Sequence, residues 1–290
     1  MIKQAQRIAA IHDLSGFGRV SLTAVIPILS TMGVQVCPLP TAVLSTHSQY
    51  KNFRFIDLSD SMPQYMAHWK ELSLHFDAIY SGYLGSVSQI DMVIDFIKTF
   101  NKPGQLIVID PVLGDNGKLY SKFSDAMVEE MKKLVEQASI ITPNLTEACM
   151  LLGEKFSSTM DVNTLKAFSR RLSEMGPEIV VITSVPEQPD KKITSVFAYN
   201  KRNERFWKVS CNYLPAEYPG TGDSFTSVLT GALLQGDSLP VALDRAVNFI
   251  SLAVRATFGH QYDPKEGILI ERVLNSLNSP VQMSSYEIIE

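Results

Sequence analysis

Glycine, threonine, glycine and aspartate stand in a row at Gly220, Thr221, Gly222 and Asp223, directly before a stretch with helical periodicity. Apolar residues recur at helical spacing over residues 225–233, so a helix is predicted to begin within this motif. The first N–H groups of a helix lack partners and its dipole is positive there, which favours an anion such as phosphate. Asp223 could accept the proton of a hydroxyl group while the amides hold the developing charge. The motif therefore predicts a site where a phosphate meets a hydroxyl.

The same motif also has a purely structural interpretation. Threonine and aspartate are good N-cap residues, so Thr221 or Asp223 could cap the helix without doing any chemistry. Short motifs often occur by chance, and the motif alone leaves both interpretations open. Polar residues elsewhere in the chain favour the chemical one.

Carboxylates follow a buried strand near the middle of the chain. Residues 106–109 are all apolar and have the length of a strand, and Asp110 and Asp115 come after them. A carboxylate at the end of a buried strand is costly unless it is paired or binds a metal ion. Mg²⁺ prefers such hard oxygen ligands and often keeps several waters. We therefore expect Mg²⁺ at Asp110, and the polar loop 115–120, which contains Gly117, is a candidate lid.

A second group of oxygen-bearing side chains follows the next predicted strand. Thr142 and Asn144 are followed by Thr146, which could cap a helix that carries Glu147 in its first turn. For Asn144 and Glu147 we favour a role in binding metal or phosphate. The strand after this one again ends in a hydroxyl residue, Thr183.

The first predicted strand, at residues 8–11, runs into a polar loop that contains Asp13, Gly16 and Gly18. A helix is predicted to follow this loop, so the segment opens a βαβ unit. Functional groups of such units lie at the carboxyl end of the strand. The two glycines do not complete a dinucleotide fingerprint, and NAD binding is not predicted.

A polar run at residues 45–50 includes His47, Ser48 and Gln49. So many hydrogen-bonding side chains in a row suit contact with a small polar ligand. A surface loop with local side-chain turns would have the same composition. Taken alone, the run favours the surface loop.

Strands and helices alternate along most of the chain. Helices are predicted at residues 22–32, 61–76, up to 100, 125–136, 241–258 and 264–277, and strands at 8–11, 34–39, 78–81, 106–109, 140–141 and 179–183, with a hairpin at 194–199 and 205–211. The final dozen residues are expected to be loosely ordered. This alternation predicts a three-layer α/β/α fold with a mostly parallel central sheet. No linker interrupts the pattern, and we expect residues 1–290 to form a single domain.

The composition excludes some classes of protein. The 290 residues carry a formal net charge of −4 with a pI near 5.8, which provides no basic surface for nucleic acid. No apolar run approaches the roughly 20 residues that span a bilayer, and no membrane contact is expected. Three scattered cysteines without metal-ligand spacing favour a reducing compartment. The start of the chain has no signal-peptide pattern, so a soluble, cytoplasmic protein is expected.

Several motifs together carry a resemblance to a known group of enzymes. These motifs lie at residues 39–41, 45–50, 81–85, 110–114, 142–147 and 220–223. The last three are similar to motifs of the ribokinase-like superfamily. The first three are similar to the vitamin-binding side of its pyridoxal kinase branch. The resemblance covers roughly residues 8–275.

This resemblance implies the ribokinase-like form of the three-layer fold and ATP-dependent phosphorylation of the 5′-hydroxymethyl group of pyridoxal, pyridoxine or pyridoxamine. By position, Asp223 is then the catalytic base, and Gly220, Thr221 and Gly222 form the anion hole. The transfer would proceed in line, with catalysis mostly by positioning and charge stabilisation. A homodimer is also implied, and a monovalent cation such as K⁺ would fit the family.

The other site residues are assigned by the same resemblance to a nucleotide end and a substrate end. At the nucleotide end, Asp110 and Glu147 would handle Mg²⁺ and the ATP phosphates, with Asp115 and Asn144 close by and Thr142 and Thr183 in contact with ATP. At the substrate end the assigned residues are Asp13, Ser48, Gln49, Tyr83 and Asp223, with His47 beside them.

One departure from the family pattern concerns the substrate. Pyridoxal kinases commonly carry serine where this chain has Asp13. A carboxylate there could accept a hydrogen bond from the ring 3-hydroxyl, pair with a protonated ring nitrogen, or favour a different ring. Hydroxymethylpyrimidine kinase, an enzyme of the same superfamily, is therefore an alternative, and a vitamin-binding protein without catalysis is another. The presence of all three carboxylates, Asp110, Glu147 and Asp223, argues against a mere binder.

Overall fold

A ten-stranded sheet forms the centre of the fold, with a two-stranded hairpin beside it. The computed structural model describes residues 5–186, 193–212, 217–279 and 285–290. The first four residues, part of the segment in which no signal peptide is expected, lie outside these ranges. The strands are β1 (Arg7–Ser15), β2 (Gln35–Leu44), β3 (Phe55–Asp57), β4 (Ala78–Ser81), β5 (Leu106–Ile109), β6 (Gly114–Asp115), β7 (Lys118–Leu119), β8 (Ile140–Ile141), β9 (Ile179–Pro186), β10 (Ile193–Asn200), β11 (Arg205–Asn212) and β12 (Tyr286–Ile289).

The sheet is parallel in its middle and antiparallel at its edges. Its order is β12-β11-β10-β9-β8-β5-β4-β1-β2-β3. Strands β2, β1, β4, β5, β8 and β9 pair in parallel, whereas β3, β10, β11 and β12 add to the two sides in antiparallel fashion. The prediction of a mostly parallel sheet is confirmed, as is the hairpin of β10 and β11.

Helices cover both faces of the sheet. They are α1 (Leu22–Thr31), α2 (Met62–Glu71), α3 (Val87–Phe100), α4 (Asp125–Val135), α5 (Leu145–Leu152), α6 (Val162–Glu174), α7 (Thr221–Gln235) and α8 (Leu239–Thr257). Apolar residues of α2 to α6 pack on one face, and those of α1, α7 and α8 pack on the other. None of the helices in the described ranges is both long and apolar enough to cross a bilayer.

The first strand shows why both faces are buried. Ala9 and Ile11 pack beneath α2 to α6, while Ile8 and Ala10 pack beneath α1 and α7. Successive side chains of a strand point to opposite faces, so a strand covered on both sides is apolar throughout. By the same alternation His12 lies on the side of α1 and α7. It is fully buried.

Two predictions near the end of the chain are wrong. Residues 264–277 were predicted as one helix, but they form three short 3₁₀ turns, Pro264–Glu266, Ile270–Arg272 and Leu274–Asn278. Gly267 has φ +86° between the first two turns, a conformation that a continuous helix does not allow. The last residues were expected to be loosely ordered, but β12 pairs with the open edge of β11. Within the final dozen residues, 280–284 lie outside the described ranges.

Candidate active site

A cavity of about 630 Å³ opens where the parallel strands end. Every residue that the sequence predicted for the site lines it: Asp13, His47, Ser48, Gln49, Tyr83, Asp110, Asp115, Thr142, Asn144, Glu147, Thr183, Gly220, Thr221, Gly222 and Asp223. Carboxyl ends of parallel strands share one edge of the sheet, which brings together residues that are far apart in the chain. The cavity is large enough for a small-molecule ligand.

The start of α7 brings to the cavity wall amides that have no acceptor within the helix. Gly220 precedes the helix with φ +81° and makes no side-chain cap. The first intrahelical bond runs from Ser224 N to Gly220 O, so the N–H groups of residues 221–223 have no acceptor within the helix. Asp223 is in the first turn, and its Oδ2 accepts a hydrogen bond from Ser21 N at 2.9 Å. The capping interpretation of the motif is therefore wrong, because neither Thr221 nor Asp223 caps the helix.

Asp223 has the properties of a general base. Its side chain is 14% exposed, so a ligand in the cavity can reach it. Burial raises the pKa of Asp223 from 3.8 to about 6, the Ser21 N–H lowers this pKa, and the charge of Asp13 raises it. A carboxylate with a pKa near the working pH is a better proton acceptor than an ordinary one.

The raised pKa leads to a pH prediction. If Asp223 must be ionised to accept a proton, kcat should fall as the pH drops through about 6 and level off above it. The measurement is kcat at saturating substrate between pH 5 and 8 at constant ionic strength, with circular dichroism at each pH to verify folding. A kcat that stays flat down to pH 5 in the folded protein would contradict the prediction.

Asp110 is the second carboxylate in the cavity and is nearly buried, with 6% of its surface exposed. Burial raises the pKa of Asp110, and the charges of Glu147 and Asp223 raise it further, while hydrogen bonds from Thr226 and Thr142 lower it. The Thr226 and Thr142 hydroxyl oxygens lie 3.0 Å apart, within hydrogen-bond distance of each other. Together, α7 and the end of β8 therefore hold Asp110 beside the anion-binding start of α7.

Glu147 and Asn144 form a capping box at the start of α5. The Asn144 side chain accepts from Glu147 N at 2.9 Å, and Glu147 Oε2 accepts from Asn144 N at 2.8 Å. Glu147 Oε1 accepts from Leu113 N at 3.1 Å. Thr146, predicted as a cap, instead accepts a hydrogen bond from Gly117 N at 3.0 Å. The prediction for Thr146 is wrong because Asn144 is the N-cap.

The hairpin of β6 and β7 is attached to this helix start. Asn144 Nδ2 donates to Gly114 O at 2.9 Å. Asn116 and Gly117 form the tip of the hairpin with φ of +50° and +74°. Asp115 is exposed on it and accepts from Asn116 N at 2.8 Å. The loop that was a candidate lid is thus a short hairpin anchored on α5.

The acidic groups fit a hydrated cation better than a closed metal cage. No group of three or more His, Cys, Asp or Glu side chains in the described ranges could by itself hold a metal ion. Glu147 uses both oxygens on backbone N–H groups. Burial raises the pKa of both Asp110 and Glu147, and the charges of neighbouring carboxylates raise both further, so the negative charges of the site repel one another. Mg²⁺ commonly binds through one or two carboxylates and keeps several waters, and these residues fit that mode.

The substrate end of the cavity contains Asp13. Ser21 Oγ donates to Asp13 Oδ1 at 2.5 Å and Ser15 Oγ donates to Oδ2 at 3.3 Å. Burial nevertheless raises the pKa of Asp13, against the effect of these hydroxyls. Ser21 has φ +48°, which is unusual for a residue other than glycine. In this conformation Ser21 bonds Asp13 with its side chain and Asp223 with its N–H.

His47 lines the cavity, but both of its ring nitrogens are engaged within the protein. Nε2 donates to Lys265 O at 2.6 Å, and Nδ1 accepts from Gln49 N at 3.5 Å. The carbonyl oxygen can only accept, so the proton is on Nε2. Gly18, with φ +104°, lets the chain pass the ring, because a Cβ there would lie 2.7 Å from His47 Cδ2. His47 therefore connects the polar run 45–50 to the first 3₁₀ turn.

Aromatic contacts close the substrate end of the cavity. Lys122 Nζ lies 5.1 Å from the ring centroid of Phe53 and 4.7 Å from that of Phe55. The next residue, Phe123, stacks on Tyr83 with ring centroids 5.6 Å apart and planes 21° apart. A lysine ammonium over two aromatic faces is attracted by both ring quadrupoles. These contacts hold the segment after β7 against the start of β3, the loop before it and the residues that follow β4.

Removing the Lys122 charge should loosen this closure. Two cation–π contacts are worth about 1–2 kcal/mol in all, so Lys122→Met should raise KM for the phosphoryl acceptor roughly 5- to 30-fold and change kcat little. Methionine keeps the length of the side chain, and Lys122→Arg, which retains the cation, should restore KM. Steady-state kinetics of the three proteins test this. An unchanged KM in Lys122→Met would show that the contacts do not retain the acceptor.

Some site residues were not identified from the sequence. Ser21 and Thr226 line the cavity and bond its predicted residues Asp223 and Thr142, whereas Lys122 lines it and contacts the rings of Phe53 and Phe55. Thr226 stands three residues after Asp223 on α7, so helical spacing could have identified it. Ser21 and Lys122 lie in loops, where no periodicity points to them.

The chain is similar to known kinases over most of its length. Residues 8–267 match the phosphomethylpyrimidine kinase family. The chain belongs to this family. A pyridoxal kinase of Arabidopsis thaliana is 30% identical over 276 residues, which cover 91% of this chain and 87% of that protein. The resemblance to pyridoxal kinases is thus confirmed, and the chain is a kinase.

Solved structures of relatives agree with this placement. A Bacteroides thetaiotaomicron protein, provisionally described as a phosphomethylpyrimidine kinase and solved in a form with pyridoxal, is 60% identical with a TM-score of 0.96, covering 99% of this chain and 100% of that one. The pyridoxal kinase of Lactobacillus plantarum is 32% identical with a TM-score of 0.86, covering 94% of this chain and 97% of that one. The ribokinase-like fold is confirmed.

Proposed function

We propose that this kinase transfers the γ-phosphoryl group of ATP to the 5′-hydroxymethyl group of pyridoxal, pyridoxine or pyridoxamine. The observation that carries the proposal is the position of Asp223. Its carboxylate, with a pKa of about 6, lies in the first turn of a helix whose leading amides have no acceptor within the helix, in a cavity that Asp110 and Asp13 also line. A base beside an anion site suits the phosphorylation of a hydroxyl group.

Asp223 accepts the proton of the substrate hydroxyl as its oxygen attacks the phosphorus. Ser21 N–H holds Oδ2, which leaves Oδ1 directed to other partners. The N–H groups of residues 221–223 stabilise the charge on the transferring phosphoryl group, aided by the helix dipole. Gly222 is exposed in the wall, so no side chain covers these amides.

Asp110 and the nearby Glu147 would hold Mg²⁺. When bound, the ion neutralises phosphate charge and orients the phosphates. The hydroxyl groups of Thr142 and Thr226 lower the pKa of Asp110 and so favour its charged form. Both oxygens of Glu147 accept from backbone N–H groups. Glu147 therefore adds negative charge to the site and holds the backbone of Leu113 in position.

The nucleotide lies, in this proposal, on the side of Asp115, Thr142, Asn144 and Thr183. Asn144 and Thr183 form a parallel bridge that joins the start of α5 to β9. The Asn144 side chain is used by the capping box and by its bond to Gly114 O, so its main role is to hold this wall of the cavity in position.

The vitamer ring lies at the other end, near Asp13, Ser48, Gln49 and Tyr83, all of which line the cavity. Asp13 has hydroxyl donors on both oxygens, and burial raises its pKa. A cationic ring N–H beside it would stabilise the buried negative charge. His47 supports this end by linking residues 45–50 to Lys265 and is a positioning residue.

A substrate panel tests the proposal. Mg-ATP turnover should be fastest with a B6 vitamer among pyridoxal, pyridoxine, pyridoxamine and hydroxymethylpyrimidine, measured by ADP release and by mass spectrometry of the product. Hydroxymethylpyrimidine is included because its kinase is the alternative that the sequence left open, and the matching family is named for phosphomethylpyrimidine, the phosphorylated form of this compound. A higher kcat/KM for the pyrimidine than for every vitamer would replace the proposed substrate, and vitamer binding without ADP release would indicate a non-catalytic binder.

Other features are part of the same proposal. We expect a homodimer, which a sizing column with light scattering can test, and a dependence on K⁺ that is measurable by replacing it with Na⁺. A reducing, cytoplasmic location suits the three free thiols Cys37, Cys149 and Cys211. The central sheet takes strands from both ends of the chain, which supports a single domain.

A further inference from the structure

His12 is a fully buried histidine next to the proposed base, and neither of its ring nitrogens has a hydrogen-bond partner among the described residues. It is the last residue of β1 before the pairing register with β2 shifts, between His12 and Leu14. The alternation of β1 directs its side chain toward α7. Nδ1 lies 3.9 Å from Oδ1 of Asp223.

The surroundings of His12 hold its ring in this place. Tyr80 on the adjacent strand β4 packs edge-on against it, with ring centroids 4.3 Å apart and planes at 80°. Gly82 leaves the space that the ring occupies, because a Cβ there would lie 2.3 Å from His12 Nδ1. Tyr80 also donates its hydroxyl to Asp223 O at 3.4 Å. Two neighbouring residues thus fit the ring and keep Nδ1 toward α7.

An apolar residue would suit this place better if only packing mattered. A neutral imidazole always carries one N–H donor, and a buried donor without an acceptor lowers stability. Such groups are few in native proteins and each calls for an explanation, of which a catalytic role is one. Asp223 Oδ1, an acceptor at the site, lies 3.9 Å from Nδ1. Its other oxygen already accepts from Ser21 N.

We propose that His12 is a positioning residue, whose Nδ1–H donates to Asp223 Oδ1 when the phosphoryl acceptor is bound. This inference rests on the proposed role of Asp223 as the base. The gap of 3.9 Å must close by about 1 Å to reach a normal hydrogen bond. With Ser21 on Oδ2 and His12 on one lone pair of Oδ1, the second lone pair of Oδ1 is directed to the substrate hydroxyl.

His12 does not serve as a relay for the proton that Asp223 accepts. Burial lowers the pKa of His12 to about 3, well below that of Asp223 at about 6. A proton on Asp223 would therefore not move to His12, and the imidazole stays neutral. A neutral N–H donor directed at a carboxylate favours its ionised form and fixes its orientation.

The test is a matched pair of variants, His12→Leu and His12→Asn. Leucine fills a similar volume without a donor, whereas asparagine can place an amide N–H near the Nδ1 position. We expect His12→Leu to lower kcat about 10- to 100-fold with KM for both substrates within about twofold, and with Tm equal or higher because the unpartnered donor is gone. His12→Asn should keep kcat within about threefold of the wild type. Equal kcat in His12→Leu and the wild type, or equal losses in both variants, would overturn the proposal.

Two controls separate this inference from the proposed function. Asp223→Asn measured in the same assay must be nearly inactive; if it is active, the base is misassigned. If it is inactive while His12→Leu is fully active, only the role of His12 is wrong.

A measurement on the wild-type protein covers the case in which His12→Leu does not fold. In ¹⁵N-histidine-labelled wild-type protein with a vitamer and a non-hydrolysable ATP analogue, the His12 signals should show a neutral ring protonated on Nδ1. A ring protonated on Nε2 in that complex would overturn the proposal.

Discussion

Asp223→Asn is expected to lower kcat by about 10²- to 10⁴-fold while leaving KM for ATP and for the phosphoryl acceptor within a few-fold. Asparagine has nearly the shape of aspartate and can still accept from Ser21 N, but it cannot take a proton from the hydroxyl. The site would still bind and align both substrates, so the loss should be confined to kcat. Steady-state kinetics at saturating Mg-ATP measure it.

The same variant should be more stable than the wild type. The pKa of Asp223 in the folded protein, about 6, lies above its usual value of 3.8, so the folded state binds this proton more tightly than the unfolded state does. The contribution of this group to stability is therefore lost as pH rises from about 4 to 6, and at pH 7 the buried charge is a cost on the order of 1–3 kcal/mol. Thermal melts should show a higher Tm for Asp223→Asn at pH 7 and a smaller difference at pH 4. Near-normal kcat in a folded Asp223→Asn protein would exclude Asp223 as the base.

Gly220→Ala is expected to have a comparably large effect by a different route. Gly220 has φ +81°, and a Cβ at this position would lie 1.9 Å from the backbone oxygen of Arg19. Alanine therefore adds left-handed strain of about 1–2 kcal/mol and pushes the start of α7 away from the Arg19 segment. That segment leads into Ser21, whose N–H holds Asp223. We expect a loss in kcat/KM of about 10²-fold or more, since the anion-binding amides and the base are displaced together.

Gly236→Ala provides the matched control at the opposite end of the same helix. Gly236 has φ +95°, but a Cβ there would meet no atom within 4 Å. This variant should carry the left-handed strain without the clash, and so lose about 1 kcal/mol of stability and keep kcat/KM. Urea unfolding and kinetics on both variants separate the two effects. Equal activity losses in the two variants would mean that backbone strain, and not the contact with Arg19, is responsible.

The carboxylates of the site lower the stability of the protein in return for activity. Asp110, Glu147 and Asp223 each have a pKa raised by burial, and the charge of Glu147 raises that of Asp110 further. A protein selected only for stability would not place these carboxylates together. Their cost in the free enzyme is consistent with a site that is completed by a cation and a phosphate.

Much of the architecture was determined by the sequence itself. Apolar runs with the length of strands, separated by helical periodicities, required a mostly parallel sheet covered on both faces. In such a sheet the residues that follow the strands must meet at one edge. For this reason Asp13, Asp110, Thr142 and the motif ending in Asp223 could be assigned to one site from their order along the chain. Local pattern was sufficient because chain direction is the same in every parallel strand.

The contacts of other residues became known only from the tertiary structure. Asn144 and Glu147 cap a helix, His47 bonds to the backbone of Lys265, and residues 264–277 form short turns. The contact of His47 with Lys265 joins groups 218 positions apart, which no periodicity encodes. The box of Asn144 and Glu147 spans only three residues, and its spacing could have been recognised in the sequence. The first motif shows this most clearly: its glycines and carboxylate indicated a base beside an anion site. That Ser21, 202 positions away, holds this base follows from the packing of α7 against α1, which Ser21 precedes. The first turn of α7 also lies near the end of β1, where His12 faces the base without a hydrogen-bond partner among the described residues.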